Sequence, residues 1–281
     1  VKVRISDDEK RAVLEVLESG MLAQSKKVEL FEQEFAKFCG VKYAVAVNSG
    51  TAAVHSALYA LGIKPGDEVI TSPFTFVGTV NPILMIGARP VFADVKENTF
   101  NIDPEKIKKV ITKKTKAIIA VSLFGQPCEF DELKTIAKKN SLKLVEDACQ
   151  SVNARYKNKK SGSLADVSAF SFYATKNLIT GEGGMVTTDD FDLAEKVRMF
   201  RHHGQEKVRY EYSDLGFNYR MTDVLAAIGI CQLRKIDEFT KKRQENARIL
   251  TDGLKDVKGI VTPKVIAEHV FHQYTIRVTE E

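Results

Sequence analysis

Residues 43–61 read YAVAVNSGTAAVHSALYAL and place a strand pattern, a polar loop and a helix pattern in succession. Tyr43–Val47 is a short apolar run, which is typical of a buried strand. The loop Asn48-Ser49-Gly50-Thr51 follows it, and residues 52–61 then have a helical pattern. A buried strand that leads through a short loop into a helix is a building unit of α/β folds.

The same alternation continues along the chain. Helical patterns cover residues 28–38 and 130–140. Apolar, strand-like runs lie at residues 68–71, 90–95, 117–122, 142–146, 167–172 and 184–188. Buried strands separated by helices indicate parallel strands with helices on both faces. We therefore predict an α/β fold with a mostly parallel central sheet flanked by helices.

The last part of the chain has a different pattern. Asp223–Leu254 is predicted to be mostly helical, with an apolar face opposite Lys-rich stretches. Two strand-like runs follow, at Ile260–Val261 and at residues 270–278. These strands either begin a small second domain or join the main sheet. We predict a large domain over residues 1–255, including an N-terminal helix, and the start of a truncated small C-terminal domain over residues 256–281.

The composition excludes several classes of protein. With 281 residues, 44% of them hydrophobic and 28% charged, the chain is not disordered, collagen-like or a coiled coil. The net charge of +5 is scattered over Lys-rich helical faces, which favours a solvated surface over nucleic-acid binding.

Cysteine spacing and hydropathy predict no metal site, disulfide framework or membrane span. No apolar run approaches about 20 residues, and the charged N-terminus has no signal-peptide core. We therefore expect a cytoplasmic protein. The cysteines lie far apart without a C-x-x-C pair, which favours reduced thiols: Cys39, Cys128, Cys149 and Cys231.

The first candidate site is the loop between residues 48 and 51. Free backbone N–H groups at the start of a helix, the small Gly50 and the hydroxyls of Ser49 and Thr51 together suit a phosphate group. The alternative is an ordinary helix N-cap in which Ser49 or Thr51 caps the helix.

The second candidate is the end of the strand at residues 142–146. Glu146 and Asp147 point to opposite faces if the strand continues, so only one is expected to reach a site. An Asp beside a protonated ring nitrogen would stay ionised and keep that nitrogen charged. The alternative is a helix cap or a surface ion pair. Gln150 lies one helical turn beyond and is placed to join the same site.

The third candidate is Lys176, which follows an apolar strand and precedes the Gly-rich turn Gly181-Glu182-Gly183-Gly184. A desolvated Lys has a lowered pKa and can form a Schiff base, whereas any single Lys is by default a solvated side chain. A phosphate-type loop, an Asp and a Lys in this order match the pyridoxal-phosphate enzymes, whose cofactor needs a cradle, an acid and an amine.

With these features the sequence resembles the DegT/DnrJ/EryC1/StrS family of sugar aminotransferases, which are pyridoxal-phosphate enzymes of the aspartate-aminotransferase fold type. The matching stretches lie in one order over nearly the whole chain, at residues 46–53, 73–78, 146–151, 169–185 and 215–230. The resemblance implies that Lys176 binds the cofactor aldehyde and that Asp147 partners the pyridine nitrogen. These two residues are the predicted catalytic pair.

The resemblance also implies the other cofactor contacts. Gly50 and Thr51, with Ser49 in the same loop, and Ser171 would hold the phosphate. Gln150 would hydrogen-bond the ring hydroxyl. Phe76 would stack on the pyridine ring, and Asn218 would reach the phosphate of a neighbouring subunit, which implies a homodimer with shared active sites.

Some of these residues have an ordinary structural alternative. Phe76 could be a core side chain, and Asn218 and Arg220 could cap and pair. Glu182 could approach the substrate or stabilise a turn, and a substrate contact by His202 or His203 competes with an exposed loop position. Cys149 is expected to be packed and to have no role.

The resemblance implies transfer of an amino group from glutamate, through pyridoxal phosphate, to a nucleotide-linked keto-sugar. One alternative is a non-catalytic relative that binds the cofactor and regulates. Another is a sugar dehydratase, although those relatives carry a histidine in place of the lysine. Family members also continue through a full C-terminal domain with a histidine-tyrosine segment near the active site, and this segment is expected to be missing here.

Overall fold

Seven of the strands in the described residues form one central sheet. The computed structural model describes residues 3–206, 208 and 210–279. The sheet strands are β1 (Tyr43–Val47), β2 (Glu68–Thr71), β3 (Arg89–Phe92), β4 (Thr115–Val121), β5 (Lys143–Asp147), β8 (Val167–Ser171) and β9 (Gly184–Thr188). Two short strands, β6 (Arg155–Tyr156) and β7 (Lys159–Lys160), form a separate hairpin.

The order across the sheet is β1-β9-β8-β5-β4-β2-β3. The five strands from β8 to β3 pair in parallel, whereas β9 runs antiparallel to both of its neighbours. The predicted α/β fold with a mostly parallel sheet is confirmed.

Helices cover both faces of the sheet, since its side chains alternate between two sets of partners. Val45 and Val47 pack with one helical layer, whereas Ala44 and Ala46 pack with the other. A strand buried on both faces is apolar at every position, which is why β1 is a continuous apolar run. The helices are α1 (Asp7–Ser19), α2 (Lys26–Cys39), α3 (Gly50–Ala60), α4 (Asn81–Met85), α5 (Pro104–Val110), α6 (Phe130–Lys139), α7 (Phe191–Phe200) and α8 (Asp223–Leu254).

The C-terminal residues do not join the main sheet. The strands β10 (Ile260–Val261) and β11 (Arg277–Val278) pair antiparallel in a two-stranded sheet of their own. The prediction of a strand over residues 270–276 is wrong. This stretch is held by α8 and by the loop that follows β4, for example through the hydrogen bond from the Val270 N–H to the Gly125 carbonyl (2.9 Å). The predicted division near residue 256 stays a prediction.

Among the described residues, no helix combines the length and the apolar character needed to cross a bilayer.

Candidate active site

A cavity of about 580 Å³ lies where the carboxyl ends of the parallel strands meet the start of α3. In open α/β sheets this edge is where ligands bind. Eight of the nine predicted site residues line it: Ser49, Gly50, Thr51, Phe76, Asp147, Gln150, Ser171 and Lys176. The structure therefore brings together residues that are far apart in the sequence, and their individual roles stay predictions.

The start of α3 combines the two alternatives that the sequence left open, a helix N-cap and a loop suited to a phosphate group. The Ser49 hydroxyl accepts a hydrogen bond from the Ala52 N–H (3.1 Å), so Ser49 is the N-cap. A Cβ at position 50 would lie 2.6 Å from the Cβ of Ser171. Only glycine lets the two segments approach this closely, and the approach places the Ser171 hydroxyl beside the positive end of the helix.

Glu146 and Asp147 point to opposite faces of β5, as predicted. Asp147 lines the cavity. Glu146 is fully buried on the other side, where its Oε2 accepts hydrogen bonds from the Gly162 N–H (2.9 Å) and the Ser168 hydroxyl (3.0 Å). Burial raises the pKa of Glu146. Of these two adjacent acids, Asp147 is thus the one that faces the cavity.

Two groups orient the Asp147 carboxylate. The Thr79 hydroxyl donates to Oδ2 (2.7 Å), and the Cys149 N–H donates to Oδ1 (3.1 Å). Thr79 is buried and lines the cavity, although nothing in its local sequence pattern indicates a site residue. Cys149, for which no role was expected, also lines the cavity, and burial raises the pKa of its thiol well above the usual value.

Lys176 lies in a tight loop between β8 and β9. The loop is closed by hydrogen bonds from the Lys176 N–H to the Tyr173 carbonyl (2.8 Å) and from the Ala174 N–H to the Gly181 carbonyl (3.0 Å). The Lys176 side chain is half-buried and lines the cavity, so its amine is accessible from the cavity. The next residue, Asn177, is buried and hydrogen-bonds Nδ1 of His272 through its Oδ1 (3.1 Å).

His272 is a cavity residue that the sequence reasoning missed. The expectation that a histidine segment would be missing from the active site is wrong. Burial, with smaller effects from Lys176 and Arg243, lowers the pKa of His272 to about 3, so the ring is neutral at physiological pH. The signal was available in the sequence, because His272-Gln273-Tyr274 is itself a histidine-tyrosine pair.

Phe76 and Gln150 form part of the cavity wall. Phe76 is 69% exposed, so the alternative of a core phenylalanine is wrong and its ring is free to contact a ligand. Gln150 uses its Oε1 to accept a hydrogen bond from the Phe124 N–H (2.7 Å), which holds the neighbouring loop at Phe124. Its contact with a ring hydroxyl stays a prediction.

Asn218 does not line this cavity. Its side chain is exposed, and its backbone carbonyl accepts a hydrogen bond from Nδ2 of Asn48 (3.2 Å). Arg220 contacts Nδ1 of His202 (2.8 Å), in agreement with the pairing role considered for it. The predicted reach of Asn218 toward a neighbouring subunit stays a prediction.

All four cysteines are free thiols. Within the described ranges, no group of three or more His, Cys, Asp and Glu side chains is arranged to hold a metal ion.

Comparison with known proteins supports this interpretation. A model of the DegT/DnrJ/EryC1/StrS aminotransferase family matches residues 3–281. The chain belongs to this family. It is 46% identical to the spore coat polysaccharide biosynthesis protein SpsC of Bacillus subtilis (strain 168), with 99% of this chain and 75% of the relative covered. It is 42% identical to GDP-perosamine synthase of Caulobacter vibrioides, with 99% and 76% covered.

A solved structure with a similar fold is the E. coli GDP-4-keto-6-deoxy-D-mannose-3-dehydratase with bound hydrated PLP. Its TM-score is 0.95 at 30% identity, and the comparison covers all of this chain (100%) and 78% of the other. The fold is that of the fold type I pyridoxal-phosphate enzymes, and the chain belongs to their sugar-aminotransferase branch.

The residues of the cavity fit pyridoxal phosphate. An anion needs unpaired N–H donors and a close backbone. The first turn of α3 supplies N–H groups without intrahelical partners, and the absence of a side chain at Gly50 lets this turn lie directly against Ser171. A pyridine ring that must stay protonated needs a buried carboxylate, which Asp147 supplies. An aldehyde needs an amine, which Lys176 supplies on the same cavity wall.

Proposed function

We propose that this chain is a pyridoxal-phosphate-dependent aminotransferase that takes an amino group from glutamate and gives it to a nucleotide-linked keto-sugar. The observation that carries the proposal is that Lys176, Asp147 and the N-terminus of α3 line a single cavity. Membership of the aminotransferase family supports the reaction, and the name of the Caulobacter relative supports the substrate class.

The N-terminus of α3 and Ser171 would hold the phosphate. The first-turn N–H groups of the helix have no intrahelical partners, and the helix dipole favours an anion there. Thr51 and Ser171 both line the cavity, and their hydroxyls would donate to the phosphate oxygens. Ser49 is already engaged as the N-cap and therefore contributes mainly by fixing the start of the helix.

Asp147 and Lys176 would carry the chemistry. Bound pyridoxal phosphate supplies an aldehyde for covalent attachment and a ring that accepts electrons. Asp147 would keep a proton on the ring nitrogen, and Phe76 would pack against the ring face. Lys176 Nζ would hold the cofactor through its aldehyde until the amino donor displaces it, and the freed amine would then accept the proton from the donor's α-carbon.

A dehydratase is the nearest alternative, since two of the similar solved structures are dehydratases. The resemblance assigns those relatives a histidine at the position of the attaching lysine. This chain has Lys176 there, so an amine is present to attach the cofactor and to accept the proton. Transamination is therefore favoured.

We also propose a homodimer with shared active sites. Between the cavity residue Phe76 and the end of α4, four large apolar side chains are more than half exposed, which is typical of a surface that another protein covers. The exposed side chain of Asn218 is available to a second copy. Sedimentation of the protein in solution measures the mass of the assembly and so distinguishes a dimer from a monomer. The members of the apolar group are Phe76, Val77, Leu84 and Met85.

The visible absorption spectrum of the cofactor-loaded protein tests the proposed reaction. We expect a band from the Lys176-linked cofactor that bleaches when excess glutamate is added. Lys176→Ala should lack the linked band and lose turnover by about a hundredfold or more. A stable band that ignores glutamate would favour the non-catalytic binder, and normal turnover in Lys176→Ala would refute the assignment.

A further inference from the structure

Both oxygens of the Asp147 carboxylate have their own hydrogen-bond donor. The Cys149 N–H lies 3.1 Å from Oδ1, and the Thr79 hydroxyl lies 2.7 Å from Oδ2. Asp147 is 4% exposed and Thr79 is 2% exposed, so water does not replace either donor easily. A hydrogen bond to the ionised form of a buried acid stabilises that form.

The direction of the hydrogen bonds follows from counting protons. An ionised carboxylate can only accept, so Thr79 donates its single hydroxyl proton to Asp147. The hydroxyl of Thr75 lies 2.9 Å from the hydroxyl oxygen of Thr79. Because the proton of Thr79 is already used, Thr75 must be the donor of this second bond. The two threonines therefore form a chain of donors that ends on the carboxylate.

The same turn also positions the ring of Phe76. The Thr79 N–H donates to the Phe76 carbonyl (3.0 Å), which closes the turn Val77–Thr79. A Cβ at Gly78 would lie 2.9 Å from the Phe76 ring and 3.1 Å from the Thr51 hydroxyl. The turn Val77–Thr79 thus holds both Thr79 against Asp147 and the Phe76 ring at the opening of the cavity.

We propose that Thr79, supported by Thr75, is a positioning residue that keeps the proton shared by Asp147 and the cofactor on the ring nitrogen. The inference rests on the proposed function, because it needs a pyridine nitrogen beside Asp147. Without the Thr79 donor, the Asp147 carboxylate would bind the shared proton more strongly itself, and the ring would lose part of its positive charge.

Two of the other titratable groups in the cavity stay uncharged. Burial raises the pKa of the Cys149 thiol, so it stays neutral, and the low pKa of His272 keeps its ring neutral. The cavity lining also contains Tyr173, Lys176 and Glu182.

The test measures the ring nitrogen directly, by the 15N chemical shift of labelled pyridoxal phosphate bound to the whole protein. In the wild type we expect the value of a protonated pyridine. Thr79→Val has nearly the same shape but no donor, and its shift should move toward the unprotonated value. Thr79→Ser keeps the hydroxyl and should match the wild type. Thr75→Val should give a smaller change in the same direction.

Turnover gives a second readout that separates charge from folding. Thr79→Val should lower kcat by about tenfold, as the loss of one hydrogen bond to a charged group implies, and should leave KM for glutamate nearly unchanged. Thr79→Ser should restore kcat.

An unchanged 15N shift in both Val variants would overturn the inference. If Thr79→Val does not bind the cofactor, the 15N shift in Thr75→Val alone decides the test. A wild-type protein that binds no cofactor or ignores glutamate would instead refute the proposed function.

Discussion

Glu146 is the fully buried acid next to Asp147, and only one of its carboxyl oxygens is hydrogen-bonded. Oε2 has two donors, whereas Oε1 has no partner among the described residues. An ionised carboxylate in this position would leave a buried charge poorly compensated. The raised pKa of Glu146 therefore means that the proton stays on the folded protein above the pH at which the unfolded chain releases it.

Glu146→Gln tests this protonation state. Because the folded state keeps a proton that the unfolded state loses above about pH 4.5, the wild-type contribution becomes less favourable as the pH rises. The neutral amide removes this cost, so we expect equal or higher stability at neutral pH and a flatter dependence on pH. Urea unfolding at several pH values between about 5 and 8 measures both.

A loss of more than about 3 kcal/mol in Glu146→Gln would show that the ionised carboxylate is required. Glu146→Ala serves as the comparison. It should be clearly destabilised, because it leaves a cavity and removes the acceptor of Gly162 and Ser168.

At the residue scale, sequence reasoning succeeded where a strand gives each side chain a face. The period of two separated Glu146 from Asp147 correctly. It could not find Thr79, which reaches Asp147 from a turn 68 residues earlier in the chain. No local pattern reports such a contact, because it depends on how β2 and β5 are placed in the sheet.

At the scale of elements, α8 packs its backbone directly against a ring of α2. A Cβ at Gly229 would lie 2.7 Å from a ring carbon of Phe31, which is fully buried and also contacts the rings of Phe35 and Phe172. Near the C-terminal end of the same helix, a Cβ at Gly253 would meet nothing within 4 Å.

The two glycines predict opposite effects of the same substitution. Alanine is favoured over glycine in a helix by up to about 1 kcal/mol, whereas overpacking a core costs about 1–3 kcal/mol. Gly229→Ala should therefore lower the free energy of unfolding by about 1–2 kcal/mol, because the Phe31 ring has no space to move.

Gly253→Ala is the matched control and should raise stability by a few tenths to about 1 kcal/mol, because only helix propensity changes. Urea unfolding of both variants measures the difference. An unchanged or higher stability of Gly229→Ala would contradict the packing described for α2 and α8.

Apolar patterns predicted elements well where the elements are buried by regular packing. Tyr43–Val47, Glu68–Thr71, Gly184–Thr188 and Asp223–Leu254 were predicted at their observed bounds. The prediction failed over residues 270–276, since apolar character reports burial rather than strand pairing. Val270 is fully buried there, but by loop contacts.

At the scale of the whole molecule, residues 269–273 tie three distant parts of the chain together. Arg243 of α8 donates to the carbonyls of Phe271 (3.2 Å) and His272 (3.3 Å). The Gln273 N–H donates to the Phe124 carbonyl (3.2 Å), and His272 contacts the Asn177 side chain beside Lys176. Opening of this segment would thus disturb the cavity wall and the lysine loop together.

Three histidines are held neutral by this packing and by the core. Burial lowers the pKa of His55 and of His269 to about 4, and that of His272 to about 3, from an ordinary value of 6.5. His55 lies against the rings of Phe200 and Tyr219. Below about pH 6.5 the unfolded chain binds protons at these sites that the folded protein does not bind.

Acid should therefore destabilise the folded protein well before the carboxylates titrate. The free energy of unfolding should fall as the pH decreases from about 6.5 to about 4, and each histidine contributes at most about 1.4 kcal/mol per pH unit. Glu146 acts in the opposite direction, because its pKa is raised, but it is one group against three. Urea unfolding at intervals across this window measures the slope.

The slope, rather than the absolute stability, identifies the groups responsible. His55→Gln and His269→Gln should each reduce the slope of the free energy of unfolding against pH, even where the substitution itself costs stability. Each substitution removes one histidine that takes up a proton in the unfolded chain but not in the folded protein. A free energy of unfolding that stays flat between about pH 6.5 and 4.5 would show that these rings accept protons in the folded state, and that the burial of His55 and His269 does not exclude charge.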